Sequence, residues 1–296
     1  MIKNSKALKG SIFIILSAVF FGTYGIWSKL MASSFGEFNQ AWIRALILLI
    51  ILLPFGFLTK KFKKIDKVDI KWFAIISLCG GLNQAPYFFG FKHLPVGTAT
   101  LLFYLALTIG AYIIGKLFFG EKITKIKYLA LFISIIGLTI IYKLSLSQAQ
   151  ILPAVLTMAS GLMGAGAVVF SKKISARYSE TQILSVLFVA MLAINFPISM
   201  VMGEIVPSFS LVIPWTAEVI YSLALLAANA LVIAGFKYLE PSIGGILGLL
   251  EVVFAAIFGI VFFQEILTIQ FIFGSILILI AASLSDVMKL IQAKIR

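Results

Sequence analysis

One sequence pattern occurs twice in this chain: Gly90-Phe91-Lys92 with Phe119-Gly120-Glu121-Lys122-Ile123-Thr124, and Gly235-Phe236-Lys237 with Phe263-Gln264-Glu265-Ile266-Leu267-Thr268. The offset between the copies is 145 residues at the Gly-Phe-Lys motif and 144 at the glutamate. Ser28-Lys29 is related to Ser171-Lys172 by an offset of 143. Near-constant offsets over separate regions indicate duplication of one unit. We therefore divide the chain into two related halves, residues 1–145 and 146–296.

The composition places both halves in a lipid bilayer. Hydrophobic residues make up 61% of the 296 residues and charged residues 12%, against roughly half and a quarter in soluble domains. A helical crossing needs about 20 apolar residues, and continuous runs of this length favour helices over the short alternating segments of a transmembrane barrel. The sequence contains ten such segments: 10–31, 37–58, 72–92, 96–118, 127–143, 151–171, 181–201, 217–237, 242–262 and 269–289.

The positive charges predict how the chain is oriented. With a cytoplasmic amino terminus, 20 of the 24 Lys and Arg residues fall on internal segments, and only Lys29, Arg44, Lys92 and Lys143 fall toward the outside. The positive-inside rule therefore predicts that both termini are cytoplasmic. The net charge of +13 is then a topology signal that also favours contact with anionic lipid, and we expect no nucleic-acid partner.

The two halves are expected to be inverted with respect to each other. Each half holds five segments, and because five is odd the second half enters the membrane from the opposite side. The predicted fold is an all-α integral membrane protein with ten transmembrane helices in two inverted five-helix repeats. Inverted repeats can exchange conformations and open a central site to each side in turn. This organisation predicts a multi-pass transporter in the cytoplasmic (inner) membrane.

Three motifs resemble the drug/metabolite transporter superfamily in its EamA-type branch. They are Leu250-Glu251-Val252-Val253-Phe254-Ala255-Ala256, Gln264-Glu265-Ile266-Leu267-Thr268 and Gly120-Glu121-Lys122-Ile123-Thr124. The resemblance covers nearly the whole chain and implies a ten-helix, two-repeat carrier of amino acids or other small metabolites, commonly moved outward. The chain departs from the family at Val252 and within Leu105-Ala106-Leu107-Thr108, where the family often carries proline.

Polar residues in the middle of the apolar segments predict a substrate site. Such residues are costly at bilayer depth and tend to face the interior of the helix bundle. Asn83 and Gln84 lie midway along the third segment, Asn229 midway along the eighth and Glu251 midway along the ninth. Under the 145-residue offset Gln84 corresponds to Asn229, so each half contributes an amide near the same plane. A pseudo-twofold axis would place a substrate site there.

Helical spacing adds aromatic and hydroxyl side chains to this site. Aromatic rings with amide and hydroxyl groups suit an amphipathic solute. Small residues at helical spacing flank Glu251 in the ninth segment (Gly244, Gly248, Ala255 and Gly259) and follow Thr108 in the fourth (Ala111 and Gly115), and close helix packing is the alternative explanation for these stripes. Trp27 could instead anchor at the membrane interface. The predicted substrate-binding residues are Thr23, Trp27, Asn83, Gln84, Tyr87, Tyr104, Thr108, Ser160, Asn229 and Glu251.

Glu251 is the one acidic residue that the sequence places deep within a segment. We expect it to bind and release a coupling proton or to contact an amine of the substrate, and a purely structural carboxyl is the alternative. Arg44 lies about a third of the way into the second segment. It could attract an anionic substrate, but we expect it to snorkel outward or to pair with Glu37. The lone His93 lies at a segment edge without ligand partners, so no metal site is expected.

Other function classes receive little support. The pattern from Gly110 to Lys116 resembles a phosphate loop, but Leu117 replaces the required Ser or Thr. One histidine and one deep acid weigh against an enzyme. We therefore predict a secondary transporter without a cofactor, which exports an amino acid or related amphipathic solute by alternating access. A channel-like passive facilitator and an efflux protein with a different substrate, a drug or another metabolite, remain the alternatives.

Overall fold

The computed structural model describes residues 2–31, 34–94, 96–142, 146–264, 266 and 268–295. Glu265 and Leu267 of the repeated pattern, and Lys143, lie outside these described residues. Within them the secondary structure is helical with no strand, which confirms the predicted all-α class. The helices are α1 (Ile2–Gly22), α2 (Tyr24–Met31), α3 (Glu37–Leu58), α4 (Ile70–Leu82), α5 (Gln84–His93), α6 (Val96–Phe119), α7 (Lys125–Ile141), α8 (Ile151–Ser171), α9 (Glu180–Val201), α10 (Val212–Phe236), α11 (Pro241–Gly248), α12 (Leu250–Phe263) and α13 (Ile269–Ile295).

Each predicted segment contains a helix or a pair of helices, but not every helix has the length of a full crossing. Among the described residues, seven helical segments are long and apolar enough to span a membrane, and Ile269–Leu284 is a shorter apolar helix. The chain is thus a multi-pass membrane protein. The seven segments are Lys6–Met31, Glu37–Leu58, Thr98–Phe119, Gln148–Ser171, Glu180–Val201, Val212–Phe236 and Pro241–Phe263.

Three of the predicted segments are interrupted near their middles. The breaks fall at Thr23 between α1 and α2, at Asn83 between α4 and α5, and at Leu249 between α11 and α12. Pro86 accounts for the second break, because a proline cannot donate the hydrogen bond to the carbonyl four residues earlier and its ring crowds that carbonyl. The corresponding segments of the other half, in α8, α10 and α6, are continuous helices.

The loops gather at two ends of the bundle. We call the basic end the one formed by residues 59–69, 120–124, 172–179 and 237–240. Its loops are joined by side chains: Gln182 Nε2 donates to the Lys63 carbonyl over 2.6 Å, Lys237 pairs with Glu180, and Lys172 donates to the Leu239 carbonyl.

We call the other end the opposite end, and its contacts join residues 34–39, 93, 150 and 204–215. The Asn39 backbone N–H donates to Glu204 Oε2 over 2.7 Å, and Gln150 Nε2 donates to the His93 carbonyl over 3.3 Å. The start of α1 lies at the basic end, where the Lys9 ammonium is 5.7 Å from the centroid of the Tyr238 ring. The α8 helix begins at the opposite end and finishes at the basic end.

Several backbone features recur at the sequence offset of the repeat. Pro54 lies inside α3 and Pro197 inside α9, 143 residues later. The described residues with a left-handed backbone also form two such pairs. Lys60 (φ 53°) and Gly203 (φ 69°) follow α3 and α9, and Gly120 (φ 62°) and Gln264 (φ 55°) follow α6 and α12. Left-handed residues terminate helices by satisfying the last carbonyl groups, so equivalent helices end in the same way.

The core of the bundle is built between the two halves. The α3 helix packs on α9, α7 on α13, α1 on α10 and α12, and α8 on α4, α5 and α6. When the halves are interchanged, the contact of α1 with α10 becomes the contact of α8 with α4 and α5. The contact of α1 with α12 likewise becomes that of α8 with α6. Neither half buries its own apolar faces alone.

Candidate functional site

A central cavity of about 170 Å³ lies where the three interrupted segments meet. Backbone irregularity at membrane depth is tolerated where it is buried in protein or lines a cavity, and here the breaks bring polar side chains to the cavity wall. Six of the predicted residues line it: Asn83, Gln84, Tyr87, Tyr104, Asn229 and Glu251. Tyr24 and Tyr221, which the sequence analysis did not select, line it as well.

The acidic group of the cavity is Glu251, in the first turn of α12. Tyr104 of α6 lines the same wall, where its hydroxyl interacts with the Glu251 carboxyl group. Among the described residues that line the central cavity, Glu251 is the only acid, and no lysine, arginine or histidine is present. The charge of the site is therefore negative whenever Glu251 is ionised.

Aromatic rings form the wall beside this carboxyl group. Tyr87 stacks on Phe103 with ring centroids 4.1 Å apart, and Tyr24 lies 6.5 Å from Tyr87 in a stacked orientation. The Tyr87 hydroxyl is also hydrogen-bonded to Thr100. Ring faces carry negative partial charge and attract cations, so the rings and the carboxyl group favour the same kind of ligand.

A second, larger cavity of about 580 Å³ adjoins the first. Its wall includes Lys29, Gln40 and Phe263, which lie toward the opposite end of the bundle, so we call it the outer cavity. Tyr24, Tyr87, Tyr104 and Glu251 line both cavities. Glu251 thus stands where the two spaces meet.

Residues of the second half support the break at Asn83. The Ser160 hydroxyl of α8 donates to the Asn83 carbonyl, and Asn195 Nδ2 of α9 donates to the Gly81 carbonyl over 2.9 Å. Buried carbonyl groups freed by a helix break are costly unless they accept a hydrogen bond. Ser160, a predicted substrate residue, therefore positions Asn83 in this structure. Asn195 was missed, although it is an amide within an apolar segment just as Asn83 is.

Three predicted residues lie apart from the cavity wall. Thr23 and Trp27 bond to each other, because the Trp27 indole Nε1 donates to Thr23 Oγ1 one helical turn earlier over 3.0 Å. Trp27 packs against the aromatic cluster around Phe35 and Tyr221 instead. Thr108 is 1% exposed and is buried on α6. These three side chains are therefore engaged by neighbouring side chains or buried in helix packing and do not line the central cavity.

The expectation that Arg44 would snorkel outward or pair with Glu37 was wrong. Glu251 is also not the one acid buried in the bundle, because Glu218 is fully buried as well. Arg44 Nη2 lies 2.9 Å from Glu218 Oε2, and both side chains are 0% exposed. Arg44 therefore neither snorkels nor relies on Glu37. The pairing arises because α3 packs against α10, a contact between residues 174 positions apart. Glu218 sits near the start of the predicted eighth segment, where sequence position alone suggests the membrane edge.

A polar network joins the loops and helix ends at the basic end of the bundle. Lys127 Nζ lies 2.6 Å from Glu121 Oε1 and 2.7 Å from Glu240 Oε2. Glu121 also accepts from the Ser242 hydroxyl and, over 3.2 Å, from the Ser242 backbone N–H in the first turn of α11. A carboxylate at a helix amino terminus is stabilised by the unpaired N–H groups there. Burial lowers the pKa of the nearby Lys172 ammonium, against the opposing pull of Glu121 and Glu240.

Comparison with known proteins agrees with this architecture. The chain is 22% identical over 217 residues to the pseudopaline exporter of Pseudomonas aeruginosa (strain UCBPP-PA14), covering 73% of this chain and 75% of the relative. It is 34% identical over 143 residues to an uncharacterized transporter of Clostridium kluyveri, covering 45% of this chain and 44% of that protein.

Structural and family comparisons cover most of the chain. One solved crystal structure superposes with a TM-score of 0.80 at 14% sequence identity, over 94% of this chain and 96% of the other. That likeness concerns the fold alone. The sequence model of the EamA-like transporter family matches twice, over residues 8–143 and 151–285. The two matches divide the chain near the boundary between its halves. The protein belongs to the EamA-like transporter family.

Proposed function

We propose that this transporter is a secondary carrier that moves a small amphipathic solute bearing an amine, an amino acid or related compound, through the central cavity. The observation that carries the proposal is the position of Glu251. Glu251 lines both cavities beside a wall formed by Tyr24, Tyr87 and Tyr104. An acid facing aromatic rings attracts an ammonium group, and Asn83, Gln84 and Asn229 offer amides for the rest of the solute.

We propose that the carrier works by alternating access between two inverted repeats, residues 1–145 and 146–296, with ten crossings. The recurring helix ends, the exchangeable helix contacts and the opposed directions of α1 and α8 support this arrangement. The outer cavity extends toward the opposite end, while the Glu121 network spans the basic end. We infer that this network blocks the path at the basic end, which favours a carrier over a channel because a channel needs a continuous path.

We further propose that solute leaves the cell across the cytoplasmic membrane. The lysine-rich loops of the basic end then face the cytoplasm, as the positive-inside rule requires, and both termini are cytoplasmic. A relative named as an exporter supports the outward direction. Glu251 is the group we propose for proton coupling, because it is reached from both cavities and a carboxyl group in an apolar site readily changes its protonation state on binding an amine.

The test uses purified full-length protein in liposomes. Uptake of radiolabelled phenylalanine and leucine, and of any metabolite that accumulates in cells lacking the protein, would be measured with and without an imposed pH gradient. We expect saturable flux that responds to the gradient in the parent and is lost in Glu251→Gln. Asp66→Asn is the matched control, since Asp66 is an exposed acid at the basic end. Full flux with unchanged pH response in Glu251→Gln would contradict the proposed mechanism, and flux linear in concentration would indicate a facilitator.

A further inference from the structure

We propose that Arg44 forms an anion-binding subsite that takes a carboxylate group of the transported solute. The inference deepens the proposed function and rests on it. Nothing in the family resemblance assigns this role to the position. The subsite lies between α2, α3 and α10, one aromatic ring away from the central cavity.

The ion pair with Glu218 occupies only some of the hydrogen-bond donors of the Arg44 guanidinium. Arg44 contacts Glu218 through Nη2 alone, over 2.9 Å. Among the described residues, Arg44 Nε and Nη1 and Glu218 Oε1 have no hydrogen-bond partner, although all three atoms are buried. Buried unpaired donors are costly, and more so when they belong to a charged group. A carboxylate can bind an arginine through two parallel hydrogen bonds, so the free donors are suited to a second carboxylate.

The pair lies behind the aromatic wall of the central cavity and is not itself part of the lining of either cavity. The Arg44 guanidinium carbon is 3.9 Å from the centroid of the Tyr221 ring, and Tyr221 lines the central cavity. Tyr221 contacts Tyr24 edge to face at 4.8 Å, and Tyr24 lines both cavities. A change in the rotamers of these two rings would connect Arg44 with the central cavity.

The outer cavity approaches the pair along α3. Gln40 lies one helical turn before Arg44, so the two side chains share a helix face. Gln40 lines the outer cavity, and its Oε1 atom has no hydrogen-bond partner among the described residues. Gln40 therefore extends the polar wall of the outer cavity to within one helical turn of Arg44 on α3.

The charge of the central cavity makes this subsite chemically useful. Glu251 supplies a negative charge, which can bind an amine of the solute. The described lining contains no Lys, Arg or His, so the central cavity offers no cation for a carboxylate of the same solute. Arg44 supplies that cation. In the absence of solute Glu218 acts as the counter-ion, which avoids an isolated buried charge. The inferred substrate class is thus a solute that carries both an amine and a carboxylate.

A purely structural ion pair is the competing explanation, and chemical modification separates the two. The wild-type chain in liposomes would be treated with phenylglyoxal, an arginine reagent, and adducts at Arg44 and Arg177 would be followed by mass spectrometry. Arg177 is the internal control, because its half-exposed side chain pairs with Asp69 at the basic end. We expect acetate to slow modification of Arg44 several-fold and to leave Arg177 unchanged, and chloride to have little effect.

Each other outcome overturns the inference. No adduct at Arg44, or an adduct rate that acetate does not change, would mean a closed structural pair. Equal protection by chloride and acetate would indicate a site for small inorganic anions. In Glu218→Gln, removal of the competing carboxylate should raise the sensitivity to acetate several-fold, whereas a structural role predicts no change in anion dependence.

A pair of matched probes connects the subsite to the solute. Phenylalanine should protect Arg44, and phenethylamine, which lacks the carboxylate, should not. Lys64→Gln is the control variant, because Lys64 is an exposed cation of the basic end that lines neither cavity, and it should leave both results unchanged. Equal protection by the two probes would refute the assignment. Modification needs no transport, so failure of this inference is distinguishable from failure of the proposed function, which is read from flux in Glu251→Gln.

Discussion

Lys127 Nζ lies 2.6 Å from Glu121 Oε1 at the basic end of the bundle. Glu121 follows α6 and Lys127 is in the first turn of α7, and Glu121 also accepts two hydrogen bonds from Ser242 of α11. The side chain of Glu121 is 2% exposed and that of Lys127 is 10% exposed. One buried carboxylate thus ties the first half of the chain to the second.

We expect Glu121→Gln to open the basic end. Removing one partner of a buried ion pair costs about 3–5 kcal/mol. Here the substitution destabilises the conformation in which the basic end is closed. The reporter is Val232→Cys in a Cys79→Ala background, because Val232 lines the central cavity near the basic end of α10. Labelling by a membrane-impermeant maleimide from the basic side should rise several-fold.

Lys125→Gln provides the control for this experiment. Lys125 is an exposed lysine two residues before Lys127, and its replacement should leave labelling unchanged. Equal labelling of the parent and Glu121→Gln would show that the network does not hold the basic end closed.

Asn195→Leu is expected to destabilise the break between α4 and α5. Asn195 Nδ2 donates to the Gly81 carbonyl over 2.9 Å and to the Met191 carbonyl over 2.7 Å. The leucine leaves the Gly81 carbonyl buried without this donor, at a cost of about 1–3 kcal/mol. The thermal unfolding temperature in detergent should fall. Flux should fall as well, because the geometry of the break positions Asn83 and Gln84 at the cavity wall.

Thr139→Val is the matched comparison for the polar replacement. The Thr139 hydroxyl donates to the Ile136 carbonyl of its own helix over 2.9 Å at an exposed position. Its loss should change the unfolding temperature little. If Asn195→Leu unfolds at the same temperature as Thr139→Val, the donor to Gly81 is not needed.

Gly161→Ala should disturb the contact between α6 and α8. A methyl group at Gly161 would meet the Phe103 carbonyl oxygen and would lie 2.9 Å from Ala106 Cβ. Overpacking of this kind costs about 1–3 kcal/mol, so the unfolding temperature should drop. Gly25→Ala is the comparison, because a methyl group there meets no atom within 4 Å and alanine favours a helix by about 1 kcal/mol. A drop of equal size in both variants would refute a specific packing role for Gly161.

The helices and the cavity amides were accessible to prediction because both leave local signals. Apolar runs mark the helices, and Asn83, Gln84, Asn229 and Glu251 stand out as polar residues within such runs. The structure brings these four to one cavity. The helix breaks were harder to foresee, because Pro86 predicts one of them while the breaks at Thr23 and Leu249 have no such marker.

The Arg44 to Glu218 pair could not be found in the same way. Its two residues lie in different halves. Each lies toward one end of a predicted segment, where a charged side chain could reach the membrane edge without a buried partner. Thr23 and Trp27 show the reverse case, because their side chains do meet one helical turn apart as the spacing predicts, but neither lines the central cavity. Side-chain direction near a break depends on the local helix rotation, which periodicity does not contain.

The amino-acid sequence by itself determined the membrane class, the helical segments and the duplication, because apolar length, charge bias and repeat offset are properties of contiguous residues. Only the tertiary structure decided which polar groups meet. Asn83 and Arg44 find their partners in the other half of the chain, and Glu121 accepts from Ser242 of that half in addition to its pairing with Lys127. Buried polar groups must be satisfied wherever the packing of distant helices places a donor or an acceptor, and that placement follows from how the two halves interlock.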